Sequence, residues 1–267
     1  MKTTLRTGSI CAALLAGSLA AHADVTVNVT TAGKASFLNV GGDGVSYIMG
    51  NRMRTEQLVG GNPQVTIIDI DGRRFVNLDA KKKSAVVTPL DSISDQLQKI
   101  GLAEIEATLT KTSETKQVAG LSCTVHDVNV KFPFSLSGQP NQGMDVTMLM
   151  TGKVCLSTDA PGLADYQRFY RAAADSGFIF GDPRVAKSPQ GAAQARAYAA
   201  LTKKMADAGM ALESQIQITA TGDGPVAAMM AGLAKSNITT TVTNVTEGPL
   251  QASLFDIPAD YKVKTQK

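Results

Sequence analysis

Apolar and polar residues alternate one for one along most of this chain, and that period decides its fold class. The clearest run is Met144 to Leu156. Met144, Val146, Met148, Met150, Val154 and Leu156 share one parity, and Asp145, Thr147, Thr151 and Lys153 share the other. Successive side chains of a strand point to opposite faces, so such a run buries one face and leaves the other to water. Parallel strands covered on both faces read instead as continuous apolar runs. Val25, Val27 and Val29 alternate with Thr26, Asn28 and Thr30, and Leu212, Ile216, Ile218 and Ala220 with Glu213, Gln215, Gln217 and Thr219.

The links between these segments are short. Val45–Met49 and Arg52–Leu58 are joined by Gly50-Asn51, and Val65–Ile70 and Arg73–Leu78 by Asp71-Gly72, a type I′ signal. Ser84–Thr88 follows the basic corner Lys81-Lys82-Lys83. Parallel crossovers need a dozen or more residues, so this is an antiparallel meander. Ile105, Ala107 and Leu109 continue it. In Leu121–Phe134 the apolar parity changes between Cys123/Val125 and Val128/Val130/Phe132, which predicts a bulge or bend near His126. Ile238 and Val242 anchor a Thr-rich strand, and Leu250–Phe255 reads as another.

Helical spacing occurs in four places. Ile93, Leu97 and Ile100 follow Ser92. Leu163, Tyr166, Tyr170 and Ala173 follow Pro161. Ala197, Leu201, Met205 and Ala208 line an Ala-rich stretch over 190–208. Val226, Met229, Met230 and Leu233 follow Pro225 and leave no polar face. With 43% hydrophobic and 18% charged residues in 267, the chain can bury a real core and is neither disordered nor fibrous. No repeat or low-complexity linker divides it. The expected architecture is one α+β domain over 24–267: a curved antiparallel half-barrel of about eight to ten strands with three or four helices on its concave face.

Residues 1–23 read as a secretory signal peptide. Lys2 and Arg6 precede an apolar stretch, Ile10–Ala20, too short to span a bilayer, and Ala21-His22-Ala23 supplies a small-x-small site with cleavage after Ala23. The expectation is a periplasmic or secreted protein and not an integral membrane one. Losing Lys2 and Arg6 takes the net charge from +3 to +1, which argues against nucleic acid as a partner. Cys123 and Cys155 then remain. An even pair in an exported chain reads as a disulfide, the alternative being a free reactive thiol.

Catalytic and metal signals are weak. His126 is the only histidine beyond the leader, and its neighbour Asp127 points to the opposite strand face, so a Ser–His–Asp triad through Ser122 is poorly formed and a surface or sheet-edge histidine is the plain reading. Gly-x-Ser-x-Gly is absent. Zinc on Cys123, Cys155 and His126 lacks the usual paired spacing. Asp69-Ile70-Asp71-Gly72 lacks the remaining ligands of a calcium loop, and Gly41-Gly42-Asp43-Gly44 lacks the Lys and helix of a phosphate loop. Arg52, Arg54 and Lys81–Lys83 read as a solvated face before a phosphate site. No metal, no cofactor and no catalytic residue is expected. Methionine is more informative, because a flexible, polarizable side chain suits an adaptable apolar surface; ordinary core is the competing reading.

Gly50-Asn51-Arg52-Met53-Arg54, the Ile67-Ile68-Asp69 strand, Gly120-Leu121-Ser122-Cys123, Val154-Cys155-Leu156-Ser157 before Pro161-Gly162, and the terminal Phe255-Asp256-Ile257-Pro258-Ala259-Asp260-Tyr261 together resemble the exported bacterial proteins grouped as domain of unknown function 4412. An aromatic often seen at the strand-to-helix step of that family is missing here. The resemblance implies an architecture similar to the periplasmic lipoprotein carriers, with an apolar cavity between sheet and helices, and transfers no catalytic residue. The expected function is therefore non-catalytic: binding of an apolar small molecule, an acyl chain or an acylated partner by Val146, Met148, Met150, Val226, Met229, Met230 and Leu233, with 225–234 as lid or core helix. The alternatives are a structural or protein-interaction module with a filled core, and a hydrolase of unrecognised site.

Overall fold

In the computed structural model the described residues are 24–35, 38–59, 62–90, 105–135, 145–176, 189–222 and 236–266. The expected signal peptide, the helices over 92–101 and 225–234, and Met144 lie outside them.

Twelve strands form one sheet: β1 Val25–Ala35, β2 Leu38–Met49, β3 Arg52–Val59, β4 Asn62–Asp69, β5 Arg74–Asp79, β6 Ser84–Pro89, β7 Glu106–Val118, β8 Leu121–Ser135, β9 Asp145–Ser157, β10 Met210–Thr221, β11 Ser236–Glu247 and β12 Lys262–Thr265. Two α-helices, α1 Leu163–Asp175 and α2 Pro189–Ala208, lie between β9 and β10. The strand order is β12-β6-β5-β4-β3-β2-β1-β11-β10-β9-β8-β7.

This corrects the expected architecture in three respects. The sheet has twelve strands, it is mixed because β12 runs parallel to β6, and the described residues carry two α-helices instead of three or four. It is an open sheet with β12 and β7 as its edges, so no barrel is closed. β12 escaped notice because its four residues are all exposed and bury no alternating face. The Leu250–Phe255 segment is not a strand either; Ala252–Phe255 is a 3-10 turn.

Turn chemistry explains the hairpins. Gly50, at φ 59°, opens the two-residue loop between β2 and β3. Ala119 and Gly120 are both left-handed, at φ 51° and 77°, and make the tight β7–β8 link. The β4–β5 connection is longer than a two-residue I′ turn: Arg73 N–H donates to the Ile70 carbonyl, and Gly72 N–H to Asp69 Oδ1. Asp69 Oδ2 accepts from Arg74 Nε at 3.0 Å, which makes the Asp-x-Asp-Gly run a braced turn.

β8 carries no bulge. Its pairing with β9 is unbroken from Thr124↔Leu156 to Ser135↔Asp145, and the register break lies opposite, in β7 between Lys111 and Thr115. The parity change instead divides β8 between two cores. Cys123 and Val125 join Val25, Val27, Ile48, Met53, Ile68, Phe75 and, from α1, Phe169 and Ala173. Val128, Val130 and Phe132 join Val146, Met150, Val154, Leu156 and, from α2, Ala197 and Leu201.

α1 packs on the Val27 and Val29 side of β1. Gln167 Nε2 donates to the Ala206 carbonyl at 2.7 Å and Arg171 Nε to Asp207 Oδ1 at 2.6 Å, which ties the helices together. On the other face, Phe255, Leu254, Leu250, Ile257 and Tyr261 cover Ile67, Val76 and Ala85. Arg52 lies 5.1 Å over the Phe255 ring, and Arg54 donates to the Leu254 carbonyl.

Candidate functional site

α1 covers only part of its face of the sheet. Beyond it, β3, β4, β5, β6 and β12 floor an open groove of about 990 Å³. Register sorts this floor into rows. The row beside α1 is Met53, Ile68, Phe75 and Thr88, and Tyr170 Oη donates to Met53 Sδ at 3.8 Å. The next is Thr55, Thr66, Asn77, Val86 and Lys264. The outermost pairs are Gln57 with Gln64 and Asp79 with Ser84, beside the Lys81-Lys82 turn. Rows two residues apart are about 6.7 Å apart. The floor therefore passes over roughly 13 Å from apolar, through hydroxyl and amide, to charged.

Charges lining the groove are unevenly engaged. Lys82 pairs with Asp79 at 3.1 Å, and Lys81 Nζ donates to Asn62 Oδ1 at 3.2 Å. Asp79 is held below the usual carboxylate range by the Lys82 backbone N–H and ammonium. Lys264 lines the groove and makes no ion pair or side-chain hydrogen bond among the described residues.

A smaller cavity of about 170 Å³ lies between α1 and the sheet, lined among others by Ser46, Tyr166, Tyr170, Glu213 and Thr240. Burial raises the Tyr170 hydroxyl to about 12. Burial, and then the neighbouring Tyr170, push Tyr166 well above its ordinary value. Both are neutral hydrogen-bonding groups at physiological pH, not bases. Glu213 turns to Lys116, whose Nζ donates to it at 2.7 Å.

The residues singled out by sequence fall elsewhere. Val146, Met148 and Met150 come together on β9, but they are 2%, 9% and 1% exposed, packed in the α2 core, and line neither cavity. Val226, Met229, Met230 and Leu233 lie outside the described residues. Cys123 and Cys155 are joined by a disulfide with Cα atoms 5.3 Å apart. That removes them as zinc ligands, and no group of three or more His, Cys, Asp or Glu among the described residues is placed to hold a metal. His126 is neither a surface nor an edge residue: it is 8% exposed on an interior strand, and Nδ1 donates to the Thr124 carbonyl at 2.9 Å. The basic positions are spread over separate contacts, with Lys83 paired to Asp260 at 2.8 Å and Arg54 to Glu56 at 2.7 Å.

The groove residues were missed because Thr, Gln and Asn at alternate positions read as a solvent face. Their one signal was the run Thr55, Gln57, Gln64, Thr66 and Asn77 continuing the parity of Met53, Ile68 and Phe75.

No family model and no curated protein matches the chain. Among solved structures it is similar to an uncharacterised conserved protein from Thermus thermophilus, at 9% identity and a TM-score of 0.39 over 92% of each chain. No helix among the described residues is long and apolar enough to cross a membrane.

Proposed function

We propose that this protein binds, without chemical conversion, an amphipathic molecule or an acylated partner in the groove over β3–β6 and β12. One observation carries the reading: an open space of about 990 Å³ whose floor grades from Met53, Ile68 and Phe75 to Asn77, Asp79 and the lysine turn. An acyl chain laid toward α1 would bury methylenes at about 0.8 kcal/mol each, while its polar end meets donors it need not desolvate. The reading moves the site away from Val146, Met148 and Met150. It keeps the expectation of an exported protein acting in an oxidising compartment, which the disulfide supports.

Native mass spectrometry of protein from its own compartment, together with titration by a fluorescent fatty-acid probe, tests this. Thr66→Trp places a bulky ring mid-floor at a half-buried position. Probe binding by the wild type and its loss in a folded Thr66→Trp variant are expected. Equal binding by both, or none by the wild type, overturns the reading. A second reading has its own support: Val146, Met148 and Met150 are sealed by α2, as in a filled-core interaction module. A bare mass and no probe uptake would favour it.

A further inference from the structure

We propose that the groove selects ligands with an anionic head and that Lys264, supplied by the C-terminal strand, is the residue that receives it. This rests on the groove being a ligand site, and it adds the ligand's charge and the group that reads it.

The argument begins with the parallel pairing of β12 on β6, which places Lys264 opposite Val86 and in line with Asn77, Thr66 and Thr55. The middle row of the floor thus ends on an ammonium. The strand is fixed there: Lys262 N–H donates to the Lys83 carbonyl, Gln266 N–H donates to the Val87 carbonyl at 2.8 Å, and Lys83 pairs with Asp260. Yet Lys264 itself has no carboxylate or carbonyl partner among the described residues, whereas Lys81 and Lys82 are each engaged. The groove lining carries three lysines against one carboxylate, Asp79. An unneutralised cation at the end of a row of hydroxyl and amide groups is complementary to a carboxylate or phosphate, and Asn77, two strands away on the same row beyond Val86, offers an amide donor to the same ligand. Lysine meets such a head as a point charge, so it reads charge without fixing the shape of the group. A neutral head would leave the ammonium with water only.

Displacement of a neutral naphthylamine probe from the full chain tests this, with dodecanoate, dodecyl phosphate and dodecanol as competitors. Dodecanoate or dodecyl phosphate is expected to displace the probe better than dodecanol, the stronger of the two identifying the head. Lys264→Gln is expected to weaken the anionic competitors about fivefold and Lys264→Glu about tenfold. Dodecanol is expected to be unaffected, which reports an intact groove. Lys204→Glu, an exposed position on α2, makes the same charge change as Lys264→Glu and is expected to have no effect. Equal displacement by all three, insensitive to Lys264, overturns the anion assignment and leaves the groove a binding site. Failure of the wild type to take up the probe or any competitor overturns the groove reading and this assignment with it.

Discussion

Tyr166 and Tyr170, one turn apart on α1, hold their ring centroids 4.4 Å apart at a 43° tilt, between the helix and the sheet. The spacing turns both rings the same way, and the two phenols share one desolvated site. Their pKa values rise above the ordinary phenol value of 10.0, Tyr170 to about 12 and Tyr166 well above that ordinary value. A raised folded-state pKa contributes stability that is intact below the unfolded value and is lost as pH climbs through the folded one. The urea midpoint is therefore expected to fall steeply from pH 10 to about 12. In Tyr166→Phe/Tyr170→Phe the fall is expected to be shallower. Matching slopes in the two proteins would refute the assignment.

The disulfide closes a separation of 32 residues. In the chain-entropy account, Cys123→Ala/Cys155→Ala is expected to lose about 3–4 kcal/mol in urea unfolding. Thiol titration of unreduced, denatured wild type is expected to find neither cysteine free.

Gly152 sits mid-strand at φ 156°, and a Cβ there would stand 1.9 Å from the Gln215 carbonyl oxygen on β10. Backbone cannot yield as a side chain can. Gly152→Ala is expected to cost about 3 kcal/mol or more, while Gly50→Ala, at φ 59° with nothing within 4 Å, is expected to cost about 1 kcal/mol. Thermal melts of the two variants compare the costs directly.

Met150 separates core from ligand site. Met150→Ala is expected to lose about 2–4 kcal/mol of stability, in keeping with its 1% exposure, and to leave fatty-acid probe affinity unchanged. A folded variant of unchanged stability but altered affinity would return the site to β9.

Period-two alternation carried much of the fold into the sequence. The runs Val25–Thr30, Arg52–Leu58 and Leu212–Ala220 fall on strands, as do residues 74–78 and 145–156 of two further runs, and the stripes through Tyr166 and Leu201 fall on helices. The failures have local causes. Gly41, Gly42 and Gly44 interrupt the alternation but lie inside β2, where a Cβ on Gly41 would stand 2.9 Å from the Thr31 carbonyl oxygen; they permit close strand approach. Alternation also cannot say which polar face a coiled sheet turns inward, so Thr66 and Asn77 were indistinguishable from the exposed Gln215 and Gln217. The methionines of β9 pointed to a binding surface because no local pattern foretold that α2 would close over them.

The position of β1 has a consequence for synthesis. Strands β1 to β6 are made in spatial order, which leaves two open borders, one along β1 and one along β6. Both are closed only from the far end of the chain: β1 by β11 at Ser236–Glu247, β6 by β12 at Lys262–Thr265. A chain made only as far as β6 therefore holds a meander ready to recruit any passing strand, and it is shielded only once β11 and β12 have also been made. A premature stop before Ser236 would expose both borders at once, so truncated products are hazards to their neighbours as well as inactive.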